Sequence, residues 1–229
     1  MNKSLLLCFL ILLIASSINA QSSLAFYDLL DYDDNWYQCI RFYKVQAQLV
    51  DGCKDNTTIF SGQVQGKINR ALEQGVSTDL LFDPCINTIR QETSYTPEYQ
   101  VTKFSENYKN LKGYQNIWFN VIQKADKNCF WSTDANLNCE ILSKYISFLQ
   151  AQTGKKIGIR SSSLDWSNIF GTTTNCANFS NLPLTYINYN QKPNFQDWQD
   201  QQFGSWRGPM MKEFDTTEIC GITTTLSVY

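Results

Sequence analysis

Short apolar runs alternate along this chain with stretches whose apolar residues recur at helical spacing, and few architectures accept that alternation. Segment 116–122 (NIWFNVI) is almost continuously apolar, as a strand covered on both faces has to be. Segments 42–50 (FYKVQAQLV), 79–82 (DLLF), 156–160 (KIGIR), 184–189 (LTYINY) and 210–214 (MMKEF) also read as strands. Between them, 59–74, 103–111, 135–152 and 164–170 read as helices, the third ending at Gly154. Strands alternating with helices pack as parallel strands with helices on their faces, so the fold class is α/β, a barrel or an open sheet. The chain shows no linker rich in Pro, Gly or Ser, no charge block and no repeat. A single barrel or two small domains would suit its length.

The first twenty residues stand apart from this pattern. MNKSLLLCFLILLIASSINA has one Lys, an apolar stretch over 5–15 and a short polar end at Ala20, the layout of a secretory signal peptide. The apolar stretch is too short for the ~20 residues of a spanning helix, and no later segment matches it. The expectation is a signal peptide over 1–20, one domain over 21–229, and no membrane association once the signal is removed.

Secretion changes how cysteine is read. Cys8 leaves with the signal, and Cys39, Cys53, Cys85, Cys129, Cys139, Cys176 and Cys220 remain, an odd set suited to disulfides in an oxidising compartment. Cys129 and Cys139 flank a short loop and make a plausible local pair. The absence of any C-x-x-C speaks against redox and zinc roles. Asn56 and Asn178 head two glycosylation sequons.

The sequence contains no histidine at all. Ser-His-Asp triads, Cys-His pairs and histidine metal sites are thereby excluded. Carboxylates are left as the main route to proton chemistry near neutral pH. With 19 Lys and Arg against 21 Asp and Glu, the formal charge is −2, and no clustered basic face points to nucleic acid.

From Ile117 onward the order of short motifs resembles the glycoside hydrolase family 25 lysozymes, the muramidases, in their eukaryotic branch. The motifs are Ile117-Trp118-Phe119-Asn120-Val121, Phe130-Trp131-Ser132, Gly158-Ile159-Arg160-Ser161-Ser162 and Trp166 with Phe170. Tyr186-Ile187-Asn188-Tyr189-Asn190, Phe203-Gly204-Ser205-Trp206, Lys212 and Leu226-Ser227-Val228-Tyr229 follow. Upstream, 64–71 and Phe82-Asp83-Pro84-Cys85 are similar to the family's helix and following strand end. The resemblance implies a TIM-like (β/α) barrel with a reduced helix count, and a groove at the C-terminal ends of the strands. It also implies bacterial peptidoglycan or another glycan as partner, and no metal or organic cofactor; the sequence itself gives no reason to expect an oligomer, so the expectation is a monomer.

Glycoside hydrolysis ordinarily needs two carboxyl groups, one to protonate the leaving oxygen and one to stabilise or attack the sugar or to activate water. Relatives carry Asp-x-Glu after the strand Trp, and alternate strand residues put both acids on one face. Here those positions hold Asn120 and Ile122, and the family's late Asp corresponds to Thr225. Asp28 is the best match to the N-terminal acid, with Asp31, Asp33 and Asp34 competing. Asp126, Asp134, Glu140 and Glu213 are the acids available as substitutes. Glu213, where relatives have Gln, is the best candidate for rescue. Tyr186, Asn188, Tyr189 and Trp206 match groove segments and suit glycan binding through flat rings and amides. Arg160 reads as a surface residue, or else as a partner for a wall carboxylate.

The leading expectation is therefore a lysozyme-like protein, secreted or delivered to an endolysosomal lumen, that has lost most hydrolytic power and still binds glycan. An active muramidase with relocated acids, serving digestion or defence, is the alternative. A structural or signalling module with no glycan ligand is the third reading.

Overall fold

The computed structural model describes residues 23–25, 44–45, 48–51, 63–73, 75, 77–89, 92–124, 129–219 and 221–229. The signal segment, Asp28 and its competitors, Cys39, Cys53, Cys220, Asn56 and Asp126 lie outside the described residues.

Nine strands form a single sheet among the described residues, in the order β2-β1-β9-β8-β7-β6-β5-β4-β3. They are β1 (Ser23–Ala25), β2 (Lys44–Val45), β3 (Gln48–Asp51), β4 (Thr78–Asp83), β5 (Tyr114–Val121), β6 (Lys156–Ser161), β7 (Leu184–Ile187), β8 (Met211–Ile219) and β9 (Ile222–Val228). Strands β3 to β8 pair in parallel, each with the next. The last turn reverses direction: β8 and β9 form an antiparallel hairpin, and β9 then pairs antiparallel with β1. β2 and β3 stand at opposite ends of the strand order, yet they are nearly contiguous in the chain. Residues 44–45 therefore pair with β1 and residues 48–51 with β4, which curls the sheet into a barrel.

Four crossovers carry helices: α1 (Gln63–Glu73), α2 (Pro97–Tyr108), α3 (Ala135–Thr153) and α4 (Ser163–Phe170). Between β7 and β8 there is only a 3-10 turn, Trp198–Asp200, so the helix count is reduced as expected. Helix ends follow local chemistry. Asp134 accepts hydrogen bonds from the amides of Asn136 and Leu137 to start α3, and Ser162 accepts from Asp165 to start α4. Gly154, at φ 62°, ends α3 in the left-handed conformation that glycine adopts without cost.

Strand alternation divides the core in two. Leu80, Phe82, Ile117, Phe119, Ile159, Leu184 and Tyr186 face outward and pack with Phe104, Leu142, Tyr145 and Trp166 from the helices. Asp79, Leu81, Asp83, Trp118, Asn120, Arg160, Met211 and Glu213 point into the barrel. Leu81, Trp118 and Met211 form a separate apolar cluster there, which plugs the middle. Gly158 makes room for the Trp118 ring, since a Cβ at that position would lie 2.4 Å from it. Below the plug, the buried Asp79 carboxylate accepts from the Asn116 amide and from the Trp118 indole, each at 2.9 Å. Burial raises the Asp79 pKa, against the hydrogen bonds from Asn116 and Trp118 that lower it.

Two disulfides are present among the described residues, Cys85–Cys129 and Cys139–Cys176. The expected Cys129–Cys139 pair is therefore corrected. Cys139 lies on α3, which turns toward the Cys176 loop, while Cys129 meets the strand-end loop after β4. Several strand and helix limits also move by a few residues. The largest changes are α2, which begins at Pro97 rather than near 103, and β8, which continues to Ile219 because its partner β9 extends the ladder. The β9 strand itself was not anticipated as a strand.

Candidate glycan site at the barrel mouth

Above the apolar plug the interior turns polar. Asp83 ends β4, Asn120 lies next to it on β5, Arg160 on β6, Glu213 on β8 and Thr225 on β9. Asp83 falls opposite Asn120 because Phe82 and Phe119 are register partners. Asn120 and Arg160 are register partners directly.

These side chains form one connected chain of hydrogen bonds across the mouth. Lys124 Nζ lies 2.8 Å from Asp83 Oδ2, and Asn120 Nδ2 donates to Asp83 Oδ1 at 3.0 Å. Arg160 Nη1 donates to Asn120 Oδ1 at 2.7 Å. The same guanidinium grips Glu213 through two bonds of 2.7 Å, from Nε to Oε1 and from Nη2 to Oε2. Tyr189 donates to Glu213 Oε2 at 3.1 Å and is hydrogen-bonded with Thr225. Burial, with the Glu213 charge beside it, pushes the Tyr189 phenol up to about 12.

The three positions matched to family acids thus sit at the mouth, and two of them, Asn120 and Thr225, are built into this chain. Ile122 follows β5 and borders a cavity of about 430 Å³ that opens beside the chain. Leu164, Ile187 and Tyr189 supply the other apolar walls, and Arg160, Asn188, Asp165, Gln201 and two serines supply the polar ones. Leu164 and Tyr189 are exposed at its rim.

The remaining expectations fare unevenly. Tyr189 reaches the cavity and shows half its surface. Tyr186 and Trp206 do not. Tyr186 is fully buried, and its hydroxyl donates to Asp197 at 2.9 Å. Trp206 packs edge-on against Trp166 at 5.0 Å, donates its indole N–H to the Leu182 carbonyl and covers Gly204. As placed here, both rings are core residues and offer no face to a sugar. Asn188 lines the cavity but donates its amide to Asp197 and Tyr186. Arg160, read as a surface residue, is only 4% exposed, because Glu213 and Asn120 take it into the barrel. Glu213 is 1% exposed, so the acid singled out for rescue is sealed against a cation. Asp134 and Glu140 are exposed on α3 or its cap.

Outside the barrel, a second polar network pins the 188–198 loop. Lys212, with no exposed surface, donates to Asn190 Oδ1, to the Lys192 and Asn194 carbonyls and, at 2.7 Å, to Asp197 Oδ1. Asp197 Oδ2 accepts from Tyr186, Asn188 and Asn190. Burial works to raise the Asp197 pKa, but the bonds from Lys212, Tyr186 and Asn188 outweigh it and hold the carboxyl below its ordinary value. Among the described residues no cluster of acidic or Cys side chains could hold a metal ion.

Asp83 and Lys124 are the site residues that sequence reasoning passed over. The signal for Asp83 was present: 79–83 (DLLFD) places acids at both ends of one strand face. Lys124 has no such signal, since it lies beyond the strand and reaches back.

The family model described as "Lysozyme-like protein 1" matches residues 20–214. The chain belongs to this lysozyme-like family. It is 28% identical over 169 residues to the probable GH family 25 lysozyme 3 of Dictyostelium discoideum, covering 73% of this chain and 33% of that one. The chain spans between a third and about half of the length of the first four curated relatives it matches. Its fold is shared with a bacterial lysozyme from Streptomyces coelicolor, at a TM-score of 0.68 and 7% identity, with 93% of each chain covered. It is shared too with the modular autolysin LytC of Streptococcus pneumoniae, solved with a synthetic peptidoglycan ligand, at a TM-score of 0.61 and 12% identity, over 92% of this chain and 46% of that one. The lysozyme-like chain therefore has the α/β barrel of the GH25 lysozymes.

Proposed function

We propose that this lysozyme-like protein binds bacterial peptidoglycan or a related glycan at the barrel mouth and has lost muramidase activity. One observation carries the reading. Where hydrolysis needs two carboxyl groups facing the sugar, the mouth presents Asn120, Ile122 and Thr225, and its acids Asp83 and Glu213 are each paired with a cation. The Arg160 guanidinium grips Glu213 at two points and the Tyr189 hydroxyl takes the same carboxylate, which is left buried with no face toward a sugar. The alternative, an active muramidase with relocated acids, has these two carboxyl groups to use at the described mouth, and Asp165 on the cavity wall, which accepts from the Gln123 amide and the Ser162 hydroxyl. Asp28, outside the described residues, stays in this reading as the remaining family acid. A signal peptide over residues 1–20, delivery to the extracellular space or an endolysosomal lumen, glycosylation at the exposed Asn178, a role in innate defence and a monomeric state belong to the same proposal. The two disulfides support an oxidising compartment.

The test is a bacterial-wall zymogram run beside a pull-down on insoluble peptidoglycan. The expected result is no cleared band, together with retention on the wall that falls when Tyr189 is changed to Ala. Clearing that disappears in Glu213→Gln or Asp28→Asn would overturn the loss of activity.

A further inference from the structure

The end of the barrel opposite the mouth carries charge that the glycan reading does not use. There the parallel strands begin and the helices finish. α2 ends at Tyr108 with Lys109 as its cap, and Lys112 lies in the turn into β5. α3 ends at Thr153, Lys155 follows the Gly154 cap, and Lys156 opens β6. The two turns are held together. Ser105, near the end of α2, donates to the Gln152 carbonyl of α3 at 3.2 Å. Lys155 Nζ donates to the Tyr114 carbonyl at 3.3 Å and lies 4.4 Å from the centre of that ring. Asn116 and Lys156 are register partners. The fold thus gathers four lysines that the sequence keeps in two separate pairs. Lys109, Lys112 and Lys156 are exposed, and none has an acidic partner among the described residues.

Nearby acids do not cancel the cluster. Glu106 is paired with Lys103 at 2.7 Å, Glu73 shares the last turn of α1 with Arg70, and Asp79 is buried against Asn116 and Trp118. The negative ends of the two helix dipoles, each worth about half a charge, offset about one lysine of the four. β5 has eight residues, so at about 3.3 Å each it holds this end about 26 Å from the mouth. That is well beyond a Debye length of about 8 Å, and the charges of the mouth network are screened from it.

We propose that this face is a second binding site, for a linear glycerol-phosphate polymer of the bacterial wall. Placing the polymer in the wall rests on the glycan reading above; the site itself does not. Ammonium groups on flexible stems suit a flexible chain of phosphates, since they act as point charges and demand no fixed geometry. The cluster is narrow, two adjacent turns with Glu73 and Glu106 on neighbouring ones. A single thread can follow the lysines and miss those acids, whereas a membrane or a duplex presents a broad charged surface that meets both. The apolar residues of the two turns, Leu111 and Tyr114, are buried. Leu72, half exposed over Gly113, is one side chain where binding to a bilayer needs a wider apolar face.

The full chain is titrated with purified glycerol-phosphate polymer over a salt series, beside phosphatidylglycerol vesicles and duplex DNA at equal phosphate. Three ammonium–phosphate contacts should weaken binding about twentyfold between 50 and 200 mM salt. Lys112→Gln should bind more weakly and with a shallower salt dependence. Changing Lys109, Lys112 and Lys156 together to Gln should cost about tenfold or more at low salt. Lys144→Gln, which removes an exposed lysine from the flank of α3, should bind as the unaltered chain does. Polymer left unbound at low salt, a triple variant that binds it undiminished, or Lys144→Gln weakening it as much as Lys112→Gln would overturn the site. Tighter binding of vesicles or of DNA than of polymer would overturn the choice of ligand. Retention on whole wall and on wall stripped of phosphate polymers by hydrofluoric acid separates this site from the mouth. The triple variant should be held less by whole wall only, and Tyr189→Ala less by both. Polymer bound while stripped wall retains nothing would sink the glycan reading and leave this site standing. Stripped wall retained while polymer stays unbound would do the reverse. Thermal melts establish that each variant folds.

Discussion

At the scale of single residues, the barrel mouth shows how a change of charge can be absorbed without a change of fold. Glu213 faces inward on β8, and its burial is tolerable because Arg160 on β6 meets both its oxygens. Arg160→Met would leave that carboxylate buried without its guanidinium. The expected cost is about 3–5 kcal/mol, read from the urea midpoint. Adding Glu213→Gln to the same chain should recover much of the loss, since an apolar and amide pair needs no counter-charge. A weaker effect of the single change would show that the pair is not what makes the burial of Glu213 tolerable. Lower in the barrel, Gly158→Ala drives a methyl into the Trp118 ring and should cost about 1–3 kcal/mol by overpacking. An unchanged melting temperature would contradict that packing. Asn120, Ile122 and Thr225 were readable in the sequence as departures from a pattern. Their new partners were not, because Asn120 bonds Asp83 thirty-seven residues away and Arg160 forty residues away. No local period reports a contact of that range.

At the scale of elements, the strands were the most legible part. Segment 116–122 announced itself because both its faces are covered, by helices outside and by the plug inside. α3 was legible for its apolar period and for Gly154. The 188–198 loop was not. Tyr186 and Asn188 look like groove residues in sequence, yet they serve Asp197, because a buried Lys212 on β8 draws that carboxylate and its neighbours around itself. Asp197 has a folded-state pKa below its unfolded value. Its contribution to stability is therefore present above the unfolded pKa, near 4, and lost as pH falls through the lower folded value. Asp79, shifted upward, contributes in the opposite sense, so the comparison has to be between chains. Asp197→Asn should be less stable at neutral pH, with Lys212 left short of its counter-charge, and should lose less on acidification below pH 4 than the unaltered protein. Parallel curves of urea midpoint against pH would contradict this assignment.

At the scale of the whole molecule, family, fold class and reduced helix count could all be read from motif order, and the disulfide pairing could not. Connectivity depends on where strand ends meet, and Cys129 lies nearer Cys139 in sequence than Cys85, the partner it finds. The Cys85–Cys129 bond spans a separation of 44 residues and ties the strand end that bears Asp83 to the loop beyond Lys124. Replacing both cysteines with Ala should cost about 2–5 kcal/mol, measured by denaturant unfolding. Loss of wall retention ahead of global unfolding would mark that side of the mouth as the first to open. The seam of the barrel has a consequence of its own. Ser23 on β1 is paired with Ser227 on β9, and β9 is also hydrogen-bonded to β8. During synthesis the earliest described strand can meet β2 early, but its other edge must wait for the latest strand. Until then the growing chain holds a half-wound sheet with open parallel edges, a form prone to pair with the wrong neighbour. For this protein, whatever shelters a nascent chain has to stay until the ribosome has delivered β9.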